Sequence, residues 1–210
     1  METIDDSLCK LNELFNYYKI DKKDREIILE SINVVFGHDE FQKRMTKEFP
    51  HHGDTTLGIH ILQDVIVTYI LSKKYMAKYP KTKFNLDLAL KIAMMHDLYT
   101  EPWQNNPHGK VKHFFNKHGF RHPIEAVINS CCWFPELFQD KYKREVLIDG
   151  IVHHMYPLPV RRFEINNHNL LELRNFDRIK NIDNSILEIL SKSSNRRKIG
   201  QVSLSKSLYI

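Results

Sequence analysis

The chain has 210 residues and a mass of 25.0 kDa, the size of one domain with at most a small appendage. Hydrophobic residues make up 42% and charged residues 27%. That excludes disorder by composition, and only 7 glycines and 8 prolines disfavour an all-β fold built on tight turns. The net charge of +5 resides after Leu190, where Lys192, Arg196, Arg197, Lys198 and Lys206 stand with no acid, so basicity is no argument for a nucleic-acid-binding body.

Helical spacing runs from end to end. Leu8, Leu11, Leu14 and Phe15 recur at three and four residues and predict an amphipathic helix over roughly 5–18. Asp21 caps a second over 21–36, with Ile27, Ile28, Ile32 and Val35 on its apolar face. A short third helix fits 38–49 and ends at Pro50. Thr55 or Thr56 caps a long helix to about Tyr79, stopped by Pro80, and 85–98 forms the next. The segment 99–109 reads as loop because Pro102, Asn105, Asn106, Pro107 and Gly109 interrupt any period. Pro123–Phe134 is expected to be helical with Pro123 in its first turn, followed by helices over about 140–155 and 169–190. No segment alternates with period two for long, so the predicted class is all-α. The expected organisation is N-terminal helices over 1–49 packing on a core of 50–190, with a basic tail over 191–210. The tail reads as a solvated terminus, with a phosphate, nucleic-acid or partner contact as its alternative.

Several classes drop out. Met1–Leu8 carries acids and no apolar stretch, so no secretory signal is expected. Runs such as Val65–Leu71 are too short to span a bilayer. Cys9, Cys131 and Cys132 form neither a disulfide framework nor a CxxC pair, and no glycine-rich phosphate loop of the GxGxxG or GxxxxGK[ST] kind occurs. The expectation is a soluble, cytoplasmic protein; the oligomeric state is not readable.

Twelve histidines are the compositional oddity, and imidazole serves chiefly as ligand, proton carrier or switch. His96-Asp97 closes an apolar helix, where the two side chains can reach one ion from neighbouring directions. His60 lies early on the long helix, one turn before Asp64, among Ile61, Val65 and Val67. His154 sits at the edge of an apolar face, whereas His153 points nearly opposite. His122 immediately precedes Pro123, and Asp177 falls beside the stripe of Leu170 and Leu173. A single histidine on such a face is more often a hydrogen-bonded core residue; four histidines and two aspartates so placed point to a metal site.

This ordered set resembles the HD-domain metal-dependent phosphohydrolases, whose pattern is H…HD…D. The run His52-Gly53-Asp54-Thr55-Thr56-Leu57-Gly58-Ile59-His60 is similar to the lead-in of the first ligand helix, and Ala93-Met94-Met95-His96-Asp97-Leu98 to the paired ligands. His118-Gly119-Phe120-Arg121-His122-Pro123 and His153-His154-Met155-Tyr156-Pro157-Leu158 resemble the GF-x-HP and HM-x-PL segments of a bacterial subgroup, and Asn175-Phe176-Asp177-Arg178 its closing element. The likeness covers about residues 50–183.

The resemblance implies an HD-domain helical bundle in which His60, His96, Asp97 and Asp177 hold one divalent metal. His122 and His154 would add a second, with Asp97 bridging and Asp183 as alternative to Asp177. Fe, Mn or Zn fits mixed nitrogen and oxygen ligands. The implied chemistry is in-line attack on phosphorus by a hydroxide held between two metals. The expected substrate is a nucleotide or another small phosphorylated metabolite. Arg121, Arg161 and Arg162 are candidates for phosphate contact, with Lys110, Lys112, His113 and His118 nearby in sequence. Where the subgroup carries an aspartate and a basic residue flanking Trp103, this chain has Pro102 and Gln104. Glu101 is then either an auxiliary base or a surface acid. The competing expectation is a non-catalytic HD-fold module that senses a nucleotide or a metal.

Overall fold

The computed structural model describes residues 3–102 and 118–154, together with positions 186 and 189. Asp177, Asp183, Arg161, Arg162 and the tail lie outside these residues, as do Trp103, Lys110, Lys112 and His113. Among the described residues there are seven α-helices and no strand, so the fold is all-α. They are α1 (Ile4–Tyr17), α2 (Lys22–Phe36), α3 (Asp39–Met45), α4 (Leu57–Lys78), α5 (Leu86–Met95), α6 (His118–Trp133) and α7 (Lys141–Val152). A 3₁₀ turn, Pro135–Phe138, links the last two.

Side-chain caps set most of the starts. Thr3 and Asp6 form a reciprocal capping box at α1, and Asp21, Thr56, Asn85 and Asp140 each accept from a backbone N–H of the first turn of α2, α4, α5 and α7. Each bond satisfies a donor that would otherwise have no intrahelical partner. The short α3 starts on His38, whose Nδ1 accepts from Glu40 N.

The central element is α4. Every residue from Leu57 to Tyr69 is buried, the mark of a helix covered on all sides. It packs against α5 and α3, and α5 in turn packs against α2 and α7. Gly58 makes the α3 contact possible: a Cβ there would lie 2.9 Å from the Met45 backbone nitrogen. The N-terminal helices share one hydrophobic core with the rest, through Leu11, Leu14 and Phe15 of α1 and Ile28, Ile32 and Val35 of α2. Ile186 and Ile189 are also helical and buried in that core, in keeping with the helix expected to reach about 190.

Three boundaries differ from the sequence expectation. Helix α6 begins at His118, so Pro123 lies inside it rather than in its first turn. The helix accepts the loss of one intrahelical donor there, and the N-terminal preference of proline was a poor guide. Helix α3 ends at Met45, before a turn in which Thr46 Oγ1 bonds the Lys43 carbonyl. The following chain reverses through Gly53, at φ 61°, and closes with a bridge between Pro50 and Thr56. Helix α5 ends at Met95, leaving His96 as its C-cap and Asp97 just beyond.

Candidate metal centre

Four elements converge beneath α4. His60 and Asp64 lie one turn apart on α4, His96 and Asp97 follow α5, His122 lies on α6, and His154 lies just past α7. All six are buried. An apolar core tolerates such groups only if each is paired, hydrogen-bonded or bound to a cation.

The Asp97 carboxylate is the hub, and its two oxygens face different partners. Oδ2 lies 2.7 Å from His60 Nε2 and 3.5 Å from His96 Nε2. Oδ1 lies 3.2 Å from His122 Nε2 and 3.6 Å from His154 Nε2. The two latter imidazoles meet at 2.9 Å, Nε2 to Nε2. With metal–nitrogen bonds of about 2.0–2.1 Å, two ligand atoms subtending 90–109° at an ion stand about 2.9–3.4 Å apart. Two of the five separations fall in that range and the other three within about 0.2 Å of it, and the donor chemistry suits a first-row divalent ion.

Second contacts set the tautomers. His96 Nδ1 lies 2.7 Å from the Ala93 carbonyl and His154 Nδ1 lies 2.8 Å from the Ile151 carbonyl. A carbonyl only accepts, so each Nδ1 carries a proton and Nε2 is the nitrogen turned toward Asp97. Ring orientation and ligand basicity are commonly fixed this way at metal sites.

The electrostatics follow from crowding these groups out of water. Burial works against ionisation of Asp97, but the charge of His96 and the hydrogen bonds from His122 and His60 outweigh it and hold the carboxyl well below its ordinary pKa. Burial lowers His96, yet Asp97 and Asp64 more than offset it and leave a net rise. His154 is pushed down to about 3, first by burial and then by His122 and His96.

The segment carrying Asp97 is fixed from three sides. Arg44 of α3 donates from Nη2 to the Tyr99 carbonyl at 2.7 Å, and its guanidinium lies over the rings of Phe49 and Trp133. From α6, Asn129 Nδ2 donates to the Leu98 carbonyl at 2.7 Å, and Glu125 Oε1 accepts from Thr100 N at 2.8 Å. On α4, His60 supplies the contact to the carboxylate itself.

Of the ligands expected from sequence, His60, His96, Asp97, His122 and His154 are brought together, while Asp177 falls outside the described residues. His153 stands aside, with Nδ1 3.0 Å from Asp149 Oδ1. Glu101 and Arg121 are exposed, and Glu101 joins none of the donor groups. Two residues of the site were not assigned by sequence reasoning. Asp64 lies with its carboxylate against His96 and His60. His51 stacks on His60, with ring centroids 3.7 Å apart, and its Nδ1 lies 3.3 Å from the Tyr99 hydroxyl. Three sets of donor atoms, each within 4.8 Å of one another, can hold a metal ion among the described residues: His51, His60 and Asp97; His60, Asp64 and His96; His96, Asp97 and His154.

No model of a known family, no curated protein and no solved structure matches the chain. Among the described residues, no helix is long and apolar enough to cross a membrane.

Proposed function

We propose that the chain is a metal-dependent phosphohydrolase of HD-domain type, acting on a phosphate ester such as a nucleotide or a small phosphorylated metabolite. One observation carries the reading: a single buried carboxylate, Asp97, turns each of its oxygens to a separate pair of histidines. Such a carboxylate could hold two divalent ions, one with His60 and His96 and one with His122 and His154. The ordered motifs in which these residues lie support the family, and Asp177 remains its proposed last ligand.

Two divalent ions in such a site supply Lewis acidity and make a water nucleophilic near neutral pH. The chain's own residues do the rest. His96 and His154 turn their Nε2 atoms inward because their Nδ1 protons are held by backbone carbonyls. Asp97 stays ionised, so its charge is available without a prior proton loss. The surrounding helices keep the donors out of bulk water, which strengthens every electrostatic contact with a developing phosphorane charge. Arg121, next to His122 and exposed, is the described candidate for drawing in a phosphate.

The test is metal content by elemental analysis, followed by phosphate release from an aryl phosphate and a nucleotide panel with added Mn²⁺ or Fe²⁺. About two ions per chain and metal-dependent release are expected. A chain that binds no metal and gains nothing from either ion would refute the reading. Pro102 and Gln104, standing where the similar subgroup has an acid and a base, favour a second reading as a non-catalytic nucleotide- or metal-sensing module. Metal binding without turnover on the panel would select it.

A further inference from the structure

We propose that Asp64 is a direct ligand of the first ion, a carboxylate donor additional to the H…HD…D set. The inference rests on the metal-centre reading above and assigns a residue that the motif pattern leaves unassigned.

The geometry separates a ligand from a supporting residue. A carboxylate that merely orients a metal-binding histidine takes a hydrogen bond from the ring nitrogen facing away from the ion. At His96 that outer position is Nδ1, and the Ala93 carbonyl holds it at 2.7 Å. Asp64 Oδ2 instead lies 3.4 Å from His96 Nε2, the nitrogen that also faces Asp97 Oδ2 at 3.5 Å. His60 repeats the pattern. Its Nε2 meets Asp97 Oδ2 at 2.7 Å and lies 4.0 Å from Asp64 Oδ2. The inner nitrogens of His60 and His96 thus face the Asp64 carboxylate, and the three residues form one set of donor atoms within 4.8 Å of one another.

Charge leads to the same conclusion. With the Nδ1 proton of His96 committed to a carbonyl, its Nε2 is the nitrogen left to face two carboxylates in a buried site. Two anions brought so close repel one another unless a cation lies between them. A single proton bridges only one donor–acceptor pair, whereas a divalent ion serves several donors at once. Helical spacing puts Asp64 within reach of that ion, because four residues after His60 on α4 it projects from the same face one turn along. The first side of the centre then has Asp64 beside His60 and His96, a mixed nitrogen and oxygen set that suits Zn²⁺ or Mn²⁺.

The experiment uses the full chain, purified metal-free and titrated with Co²⁺, with circular dichroism confirming that each variant folds. In Asp64→Cys, a thiolate bound to Co²⁺ gives an intense near-ultraviolet charge-transfer band that appears only if residue 64 touches the ion. Wild type, with Cys9, Cys131 and Cys132 present, sets the background. Asp64→Asn gives an independent measure, because it keeps the size and hydrogen-bonding capacity while losing the charge. The expected results are a new band in Asp64→Cys and at least tenfold weaker binding of one ion, not both, in Asp64→Asn. Wild type that binds Co²⁺ while Asp64→Cys shows no band and Asp64→Asn binds as wild type would overturn the assignment and leave the metal centre standing. Wild type that binds no Co²⁺, Zn²⁺ or Mn²⁺ would remove the centre and the assignment together.

Discussion

The sharpest consequence of the geometry is an asymmetry between Asp97→Ala and His154→Ala. Asp97 faces four nitrogens, two on each side, at 2.7, 3.5, 3.2 and 3.6 Å, so its removal takes one donor from each ion. His154 has its nearest polar contacts with Oδ1 of that carboxylate and His122, so on the proposed division its removal takes a donor from the second ion. Four-ligand zinc sites are worth about 10–16 kcal/mol, hence roughly 3 kcal/mol per donor. At about 1.4 kcal/mol per decade, each lost donor weakens its ion by about a hundredfold. Asp97→Ala is therefore expected to weaken both ions by about two decades each. His154→Ala is expected to weaken one by that amount and the other by less than about tenfold. Competitive titration of the metal-free variants with Zn²⁺ against a chromophoric chelator resolves the two binding steps. Equal losses at both steps in His154→Ala, or loss of a single ion in Asp97→Ala, would refute the division of the carboxylate between two sites.

Three further outcomes follow from other contacts. Arg44→Met leaves the buried Tyr99 carbonyl without the guanidinium that donates to it at 2.7 Å; the variant is expected to lose about 2–4 kcal/mol in urea unfolding, and a loss below about 0.5 kcal/mol would deny the clamp. Gly58→Ala places a Cβ 2.9 Å from the Met45 backbone nitrogen, whereas Gly150→Ala meets only the Ile92 side chain. Helix propensity alone would stabilise both by up to about 1 kcal/mol, so a lowered Tm in the first, and a smaller loss or a gain in the second, identifies backbone approach as the cause; the reverse order would contradict it. Because Asp97 and Asp64, against the opposing effect of burial, raise His96 above its ordinary pKa of 6.5, metal loading near pH 7 is expected to expel protons and to weaken as pH falls. Calorimetric binding enthalpies that do not depend on the ionisation heat of the buffer at pH 7 would contradict this.

The order of helices was legible because apolar residues recur at three and four positions along nearly every segment. The convergence of His60, His96, His122 and His154 was legible because a histidine at the edge of an apolar face is costly without a partner, and Asp97 because it adjoins His96. Less legible were features set by contacts distant in sequence. Asp64 shares the face of His60, but four-residue spacing on a buried helix does not reveal that His96 arrives from α5 with its inner nitrogen toward that carboxylate. His51 reaches the site only because the chain reverses at Gly53 and pairs Pro50 with Thr56, laying its ring on His60. The true start of α6 was hidden for a different reason: a proline usually marks the first turn, and here it sits inside. Arg44 gave no signal at all, since a lone arginine on a short polar helix ordinarily reads as solvated, yet its side chain is only 1% exposed.

Two of the clustered histidines, His96 and His154, stand at helix ends, and that position has a physical consequence. A helix leaves its last four carbonyls without backbone donors, and the resulting partial negative charge favours cations. His96, directly after α5, gives its Nδ1 proton to Ala93 three residues back; His154, just past α7, does the same to Ile151. In each case one ring nitrogen serves a last-turn carbonyl, which leaves the other as the nitrogen directed inward. The same hydrogen bond therefore helps end the helix, selects the tautomer and aims the donor. Two C-termini contribute negative potential to the site before any carboxylate is counted, and Asp97 and Asp64 add to it. Placing either histidine mid-helix would set its ring against carbonyls fully used by the helix ladder, and lose the device that decides which nitrogen faces inward.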